Sequence, residues 1–425
     1  MTETYDFLVG TFNTPEIYTL IFTPPLSSSR SSSGKLEVLH CASAIGSHSW
    51  LHLSPVKGDG TRNLYATAWT TPPAVAAYTV KSPTDIQLLN SAPTESRSGY
   101  VTANDVALYS VGGATGEVFS LDPKSGKIIA PLEPGHTEAN GVGRGNSPEI
   151  KPLQHLSFVL NVAQRDDGSV MDFGGLRHGA HSADLSPDGR ALYVADIGRN
   201  CIWSYLVDTE TGKLTHERRQ GAPRREDGPR HVWPHPTGKV VYCVQEHTSI
   251  VDVYSTYENG LSLHHEQAVR IIPVEKTSKD YWADEVRTSL SSGDKPKYLY
   301  ASVRGLKEGT KGWVAVYRLT DEGKVKESLG PHRTYAATPM ETGLMPDIEF
   351  NASYGGLQYL WETPTSGGWA NAIQPGPTID GVEYLAMTDS EQGFVFVLGW
   401  DGVEMKEVAR TKLNDGAGAA TAVWL

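Results

Sequence analysis

Hydrophobic residues alternate with small or polar residues in short runs along the chain, and one kind of run recurs. Each copy contains a tyrosine or another large apolar residue, and each is followed by a second alternating run. Alternation with a period of two is typical of β-strands. We therefore predict seven repeats of short antiparallel strands, marked by DFLVGTF from Asp6, NLYATAW from Asn63, VALYSVGG from Val106, ALYVADIG from Ala191, VVYCVQEH from Val240, YLYASVRG from Tyr298 and EYLAMTDS from Glu383.

The repeats predict an all-β, seven-bladed β-propeller, because three or four short strands that recur along a chain form one blade each. The chain begins near the second strand of a blade and ends in AATAVWL, which resembles the first strand of other blades. We expect this terminal strand to complete the N-terminal blade and close the ring. An open assembly of β-sandwiches is the alternative, and the repeat count favours the ring.

We predict a single propeller domain over residues 1–425, with loop insertions near 26–34, 131–152 and 332–356. The first insertion is rich in serine, and the other two fall where the spacing between successive repeats is longest. Insertions of this kind are accommodated in the loops of a repeat protein and leave the blades intact.

Composition favours strands and turns over long helices, since the chain contains 43 glycines, 26 prolines and 19 tyrosines. A net charge of −12 argues against nucleic acid or an anionic membrane surface as a partner. The sequence predicts no secretory signal and no apolar segment that crosses a bilayer. Its three cysteines, Cys41, Cys201 and Cys243, are far apart, which predicts reduced thiols buried in strands of a cytoplasmic protein.

Four titratable residues occupy equivalent strand ends, which a propeller directs toward one mouth of its central channel. His181 and Arg230 open first strands, whereas Glu246 and Arg304 end second strands. Two arginines can hold carboxylates by paired N–H bonds, and histidine or glutamate can transfer a proton. Taken singly, each residue is as readily explained by a surface hydrogen bond or ion pair. Because the mouth lies outside the blade cores, we expect substitution of these residues to leave the fold intact.

The sequence predicts no metal site and no cofactor site. It contains neither HExxH nor CxxC, and its histidine pairs lack the spacing of metal ligands. GVGRGN from Gly141 is not a full dinucleotide fingerprint, and GxSxG and Walker A motifs are absent from the sequence. We interpret His231 and His247 as structural residues, because strand alternation turns them away from Arg230 and Glu246.

Several segments resemble the fungal 3-carboxy-cis,cis-muconate lactonizing enzymes, also called carboxymuconate cyclases, of the lactonase-like propeller family. The resemblance covers most of the chain. It implies a metal-independent cycloisomerase of aromatic catabolism with no redox cofactor. The segments that carry it are VGTFNTPEIYTL from Val9, YTVKSPTDI from Tyr78, PHPTGKVVY from Pro234 and, most specifically, TPTSGGWANAIQP from Thr363 and AMTDSEQGFVFV from Ala386.

The resemblance also implies which residues form the site. It places the family's catalytic histidine and glutamate on His181 and Glu246, and its two substrate-binding arginines on Arg230 and Arg304. Two more predicted substrate-binding residues are Trp369, which follows the paired glycines, and Asn104, which lies in the AND segment.

Two departures from the family pattern reduce the positive charge expected at the site. Trp369 stands where the family has a histidine, and Tyr100, Val101 and Thr102 stand where it has His-Pro-Arg. We therefore expect a substrate that is less charged, or larger and more aromatic, than carboxymuconate.

Together these residues predict a cycloisomerase in which a substrate carboxylate adds to a conjugated double bond. His181 or Glu246 then protonates the adjacent carbon. The expected partner is a small anionic unsaturated acid, and the oligomeric state, a homo-oligomer included, stays open. The alternatives are a lactone hydrolase of the same propeller group, a related cyclase of secondary metabolism and a non-enzymatic scaffold. Polar residues clustered in the channel favour an enzyme over a scaffold.

Overall fold

The computed structural model describes residues 3–25, 33–131, 150–159, 179–290, 295–327, 355–414 and 416–425. The three predicted insertions lie largely outside these ranges. Among the described residues there are two short 3₁₀ helices, Glu258–Gly260 and Ser278–Asp280. No helix in these ranges has the length and apolar character needed to cross a membrane.

Strands account for most of the described chain. In order they are β1 Tyr5–Thr11, β2 Glu16–Thr23, β3 Lys35–Ser43, β4 Leu51–Leu53, β5 Arg62–Ala68, β6 Ala74–Ser82, β7 Asp85–Pro93, β8 Tyr100–Ala103, β9 Ala107–Gly112, β10 Thr115–Leu121, β11 Ile128–Ile129, β12 Gln154–Ser157, β13 Ala180–Leu185, β14 Ala191–Asp196, β15 Cys201–Val207, β16 Leu214–Gly221, β17 Pro229–Pro234, β18 Val240–Gln245, β19 Ile250–Tyr257, β20 Ser262–Arg270, β21 Tyr281–Thr288, β22 Tyr298–Gly305, β23 Trp313–Arg318, β24 Leu357–Glu362, β25 Ile373–Ile379, β26 Val382–Thr388, β27 Phe394–Trp400, β28 Met405–Lys412 and β29 Ala419–Trp424.

These strands form seven antiparallel sheets, each of which is one blade. Blades two to seven follow the chain, as β4–β7, β8–β12, β13–β16, β17–β20, β21–β24 and β25–β28, whereas blade one has the order β29-β1-β2-β3. The first strands of all blades contact one another in turn and line the channel: β29, β4, β8, β13, β17, β21 and β25. The predicted seven-bladed propeller and its closure by the C-terminal strand are confirmed.

The second strand of a blade is buried on both faces, because neighbouring blades pack against it. β9, β14 and β18 have no exposed residue, which explains their nearly continuous apolar sequence. The recurring tyrosine of these strands ties one blade to the next. The Tyr65 hydroxyl donates to the Gly126 carbonyl at 3.2 Å, and the Tyr109 hydroxyl donates to the Gly212 carbonyl at 2.9 Å. The repeated tyrosine in the sequence is therefore a packing residue with a polar anchor.

The three cysteines all lie in strands, and none forms a disulfide. Cys201 in β15 and Cys243 in β18 are buried, as predicted, but Cys41 in β3 is exposed. The difference arises because β3 is the outermost strand of its blade, where residues alternate toward solvent.

Trp424 fastens the closing strand to its neighbours. Its ring lies 4.6 Å from that of Phe7, and its indole N–H donates to the Gln374 carbonyl of blade seven at 3.1 Å. Because the side chain is partly buried, we expect Trp424→Ala to lower the free energy of unfolding by about 2–3 kcal/mol in urea denaturation. Val403→Ala is the control, because Val403 is 78% exposed; it should change stability by less than about 0.5 kcal/mol. An equal effect of both substitutions would contradict a closing role for Trp424.

Candidate active site

A cavity of about 800 Å³ opens where the first strands β8, β13, β17 and β21 begin. We call it the channel cavity, and its volume is that of a small-molecule site. A wider outer vestibule of about 1150 Å³ adjoins it and adds Lys307 and Lys311. The side chains of the channel cavity include Phe12, Trp50, Trp69, Arg97, Tyr100, His181, Arg230, His231, Trp282, Asp284, Glu285, Arg304 and Trp369.

Irregular strand pairing sets the direction of the polar side chains at this mouth. The register between first and second strands slips at His181 in blade four, at Arg230 in blade five and at Asp284–Glu285 in blade six. An extra residue in one strand leaves the ladder locally unpaired and redirects its side chain. Three adjacent blades therefore present charged or titratable groups to the cavity while their remaining residues keep the sheet intact.

Arg230 is held by two carboxylates. Its Nη1 donates to Glu246 Oε2 at 3.0 Å, and its Nη2 lies 2.5 Å from Asp284 Oδ1. Burial lowers the pKa of Arg230, but Asp284 and Glu246 together raise it above the ordinary value. The charge of Arg230 is therefore balanced by neighbouring side chains.

Arg304 is a buried cation with a weaker counter-charge. Its Nη2 is 3.8 Å from Glu246 Oε1, and its Nη1 donates to the Gly368 carbonyl at 3.0 Å. The guanidinium lies over the Trp282 ring, 4.9 Å from the ring centre. Burial and the neighbouring charge of Arg230 lower the pKa of Arg304 to about 10. Arg304 therefore remains charged at neutral pH, and an additional anion beside it would stabilise that charge.

His181 faces the same cavity as an uncharged imidazole. Burial lowers its pKa well below 6.5, and the charges of Arg230, His231 and Arg304 lower it further. The two guanidinium groups oppose a third positive charge beside them.

Glu246 and Trp369 differ in their exposure: Glu246 is buried and Trp369 faces solvent. Glu246 is completely buried behind the arginines, and its side chain is not part of the cavity lining. Trp369 is 70% exposed at the boundary between the channel cavity and the outer vestibule. The structure therefore brings His181, Arg230 and Arg304 together, places Glu246 behind them and places Trp369 at the entrance.

Asn104 is not part of the cavity. Its Oδ1 accepts the backbone N–H groups of Val106 and Ala107 at 3.0 and 2.8 Å, in the turn between β8 and β9. The cavity lies at the other end of β8, where Tyr100 lines it. Asn104 was predicted to bind substrate, and the structure gives it a turn-forming role.

A second group of titratable side chains surrounds Glu285, which was not predicted from the sequence as a site residue. His231 Nδ1 is 2.6 Å from Glu285 Oε1, and its Nε2 is 3.0 Å from the Tyr100 hydroxyl. Tyr100 donates to Asp184 Oδ2 at 2.7 Å, and Arg287 Nε is 2.9 Å from Glu285 Oε1. The interpretation of His231 as turned away was wrong, because the slip at Arg230 breaks strict alternation.

Aromatic rings cover the apolar part of the same region. Trp50 stacks on Tyr100 with ring centres 3.9 Å apart, and the Arg287 guanidinium lies 4.1 Å from the Trp233 ring centre. Flat rings of this kind suit a planar, conjugated ligand.

Known proteins share this architecture over the full chain. Residues 167–347 match a family model described as lactonase, 7-bladed beta-propeller. Muconate cycloisomerase 1 of Cutaneotrichosporon cutaneum is 36% identical over 432 residues, which cover 99% of this chain and 98% of that protein. This chain belongs to the lactonase-type seven-bladed propeller family.

One further relative and one solved structure are similar to this lactonase-type propeller. The carboxy-cis,cis-muconate cyclase of Neurospora crassa is 24% identical over 82% of each chain. The structure of the Pseudomonas aeruginosa periplasmic gluconolactonase has the same fold, with a TM-score of 0.67 and 13% identity, covering 100% of this chain and 99% of that one. The resemblance to carboxymuconate cyclases is confirmed.

Within the described part of this lactonase-type propeller, one group of side chains has the composition of a metal site. The ligand atoms of Glu95, Glu117 and His155 lie within 4.8 Å of one another. Glu117 Oε1 already accepts the Glu95 backbone N–H at 2.9 Å. Glu117 and His155 belong to blade three, Glu95 lies between β7 and β8, and all three are outside the lining of the channel cavity.

Proposed function

We propose that this protein is a lactonizing cycloisomerase that acts on a muconate-type unsaturated dicarboxylic acid. The observation that carries the proposal is Arg304, a buried cation whose one ion pair among the described residues is 3.8 Å long, beside uncharged His181 in a cavity of small-molecule size. A substrate carboxylate would complete the charge pairing of Arg304. Identity of 36% to a protein named muconate cycloisomerase supports the same chemistry.

In the proposed reaction, Arg304 holds one substrate carboxylate and the other carboxylate attacks. A C–O bond forms to the far carbon of the conjugated double bond, and the π electrons move onto the held carboxylate as an enediolate. A proton then adds to the carbon beside that carboxylate. The dianion and one proton become a lactone monoanion, so no electron acceptor is required. Arg304 stabilises the charge that develops in the transition state.

His181 and Glu246 have different roles in this proposal. His181 lines the cavity and offers an uncharged imidazole to the substrate. Glu246 acts indirectly, because its carboxylate orients Arg230 and lies near Arg304. The cavity itself contributes orientation, since Trp50 and Tyr100 can hold a bent diene with its carboxylate close to the double bond.

The charge of the cavity favours a dicarboxylate over a tricarboxylate. Arg230 is already neutralised by Asp284 and Glu246. A third substrate carboxylate would meet Arg97, which lines the cavity but is exposed and lies over the Trp69 ring, so that solvent weakens the pair. We expect kcat/KM for cis,cis-muconate to exceed that for 3-carboxy-cis,cis-muconate, as measured by loss of diene absorbance. Trp369→His should raise kcat/KM for carboxymuconate alone by about two- to fivefold, the size of an exposed charge pair. Equal rates on both acids, with no response to Trp369→His, would contradict this selectivity.

The proposed function is tested with purified protein and a panel of substrates. We expect cis,cis-muconate to lose its conjugated absorbance and to yield one lactone. The matched assay presents aldonolactones and follows acid release, which reports hydrolysis. Rapid lactone opening without any conversion of a conjugated diacid would reject the proposal in favour of a lactone hydrolase.

A further inference from the structure

The proposed reaction needs a proton donor in the cavity, and neither predicted candidate fits that task. His181 is uncharged in the free protein, since burial and nearby cations hold its pKa well below 6.5. Glu246 is fully buried behind Arg230 and does not line the cavity. A donor must instead be a side chain that both touches the cavity and carries a proton at neutral pH.

Glu285 meets the geometric requirement. Its side chain lines the channel cavity from β21, directly after Asp284, which contacts Arg230. Its Oε1 lies 2.6 Å from His231 Nδ1 and 2.9 Å from Arg287 Nε. Two neighbouring residues therefore hold the carboxyl group at the wall of the cavity that Arg230 and Arg304 also line.

We propose that Glu285 is the catalytic acid that protonates the substrate carbon, and that His231 is the residue that positions it. This inference rests on the proposed lactonizing function. The Glu285 O–H bond breaks as the new C–H bond forms, and the enediolate electrons return to the carbon that receives the proton. Glu285 is left as a carboxylate. It recovers a proton from solvent after the lactone leaves, which accounts for the one proton consumed in each turnover.

The surroundings of Glu285 keep its proton in place in the free protein. Burial raises the pKa of Glu285 to about 8; Arg287 and Arg230 oppose this shift and Asp284 adds to it. A carboxyl group with this pKa is mostly protonated at neutral pH and loses its proton as the pH rises through 8. The charged and titratable groups that surround it are Asp284 and Arg287 on β21, Arg230 and His231 on β17, Asp184 on β13 and Tyr100 on β8.

Other shifted groups of the cavity titrate outside that pH window. The pKa of His231 is lowered to about 4 by burial and Arg287, and that of Tyr100 is raised well above 10 by burial and Asp184. Arg304 keeps its charge up to about pH 10. We therefore expect an alkaline loss of activity near pH 8 to arise from Glu285, and the Glu285→Gln variant tests that assignment.

The test is the pH dependence of kcat/KM for cis,cis-muconate between pH 6 and 9.5, which reports the free protein. We expect the wild-type protein to lose activity above a pKa near 8. Glu285→Gln should lower the rate at pH 7 by about 10²–10⁴ and abolish the alkaline limb. His231→Asn should shift the pKa of the alkaline limb without abolishing the limb, because Glu285 still supplies the proton. Glu117→Gln is the matched control, because Glu117 is also a buried glutamate, with a pKa raised to about 7, but lies outside the cavity.

The outcomes separate this inference from the proposed function. A wild-type protein that converts muconate at a constant rate from pH 6 to 9.5 would overturn the role of Glu285 without any variant. Glu285→Gln with a normal rate and an unchanged limb would do the same, and lactonization itself would stand. Failure of the wild-type protein to convert any conjugated diacid would instead reject the proposed function.

Discussion

Replacing Arg304 with alanine should lower kcat/KM for cis,cis-muconate by about 10²–10³, the usual effect of removing a donor to a developing oxyanion. Arg304 has a long ion pair to Glu246 and a neutral contact to the Gly368 carbonyl, so its charge is available to the substrate. Its removal takes away the group that stabilises the enediolate. The measurement is steady-state loss of diene absorbance with folded, purified variants.

Arg318→Ala is the matched control for this experiment. Arg318 also lies over an aromatic ring, 5.1 Å from the centre of Tyr298, but it is remote from the channel cavity. We expect it to retain activity within about twofold, as for a substitution away from the site. Comparable losses for Arg304→Ala and Arg318→Ala would show that the effect is structural.

Arg230→Ala should destabilise the protein by about 3–5 kcal/mol, because it removes the closest cation from two buried carboxylates. Glu246 is fully buried and the Asp284 side chain is 3% exposed, and both contact Arg230 within 3.0 Å. The expectation from sequence that all four site residues could be replaced without cost to folding is therefore revised. Arg230 is itself buried at the channel mouth, with 7% of its surface exposed.

Urea denaturation measures this effect, and two further variants make it specific. Arg230→Ala combined with Glu246→Gln should recover part of the lost stability, because one uncompensated charge is removed. Arg410→Ala, which breaks an exposed pair with Glu407, should cost no more than about 1 kcal/mol. Equal destabilisation by Arg230→Ala and Arg410→Ala would contradict a buried ion network at the mouth.

The fold was predictable because the residues that recur along the sequence are those that pack at the interfaces between blades. Tyr65 and Tyr109 recur at equivalent positions, since each hydroxyl must reach a carbonyl of the next blade. The closing strand was predictable for the same reason: its sequence resembles that of the other first strands.

The site was only partly predictable, because irregular pairing determines which side chains reach the cavity. His181, Arg230 and Arg304 were found from their equivalent strand ends. His231 was misread, since alternation assumes a regular ladder and the ladder slips at Arg230. Glu285 was missed although a charged run interrupts an apolar strand in YWADEVRT, a signal that marks a buried polar function.

Asn104 shows the limit of assignment by position along a strand. It follows β8, whose first residue, Tyr100, reaches the cavity, but the four residues of β8 carry the chain away from the mouth. Its amide oxygen then caps the backbone of the following turn. Distance along the strand, rather than residue type, decides whether such a side chain can contact a ligand.

The most direct test of the central claim is a crystal structure with adipate, the saturated six-carbon diacid, which has no double bond to react. We predict that one carboxylate of adipate lies at hydrogen-bonding distance from the Arg304 guanidinium, beside His181. The carbon chain of adipate should extend from there toward Glu285. Adipate bound only in the outer vestibule beside Lys307 and Lys311, with the channel cavity unchanged, would contradict the claim that this cavity is the active site.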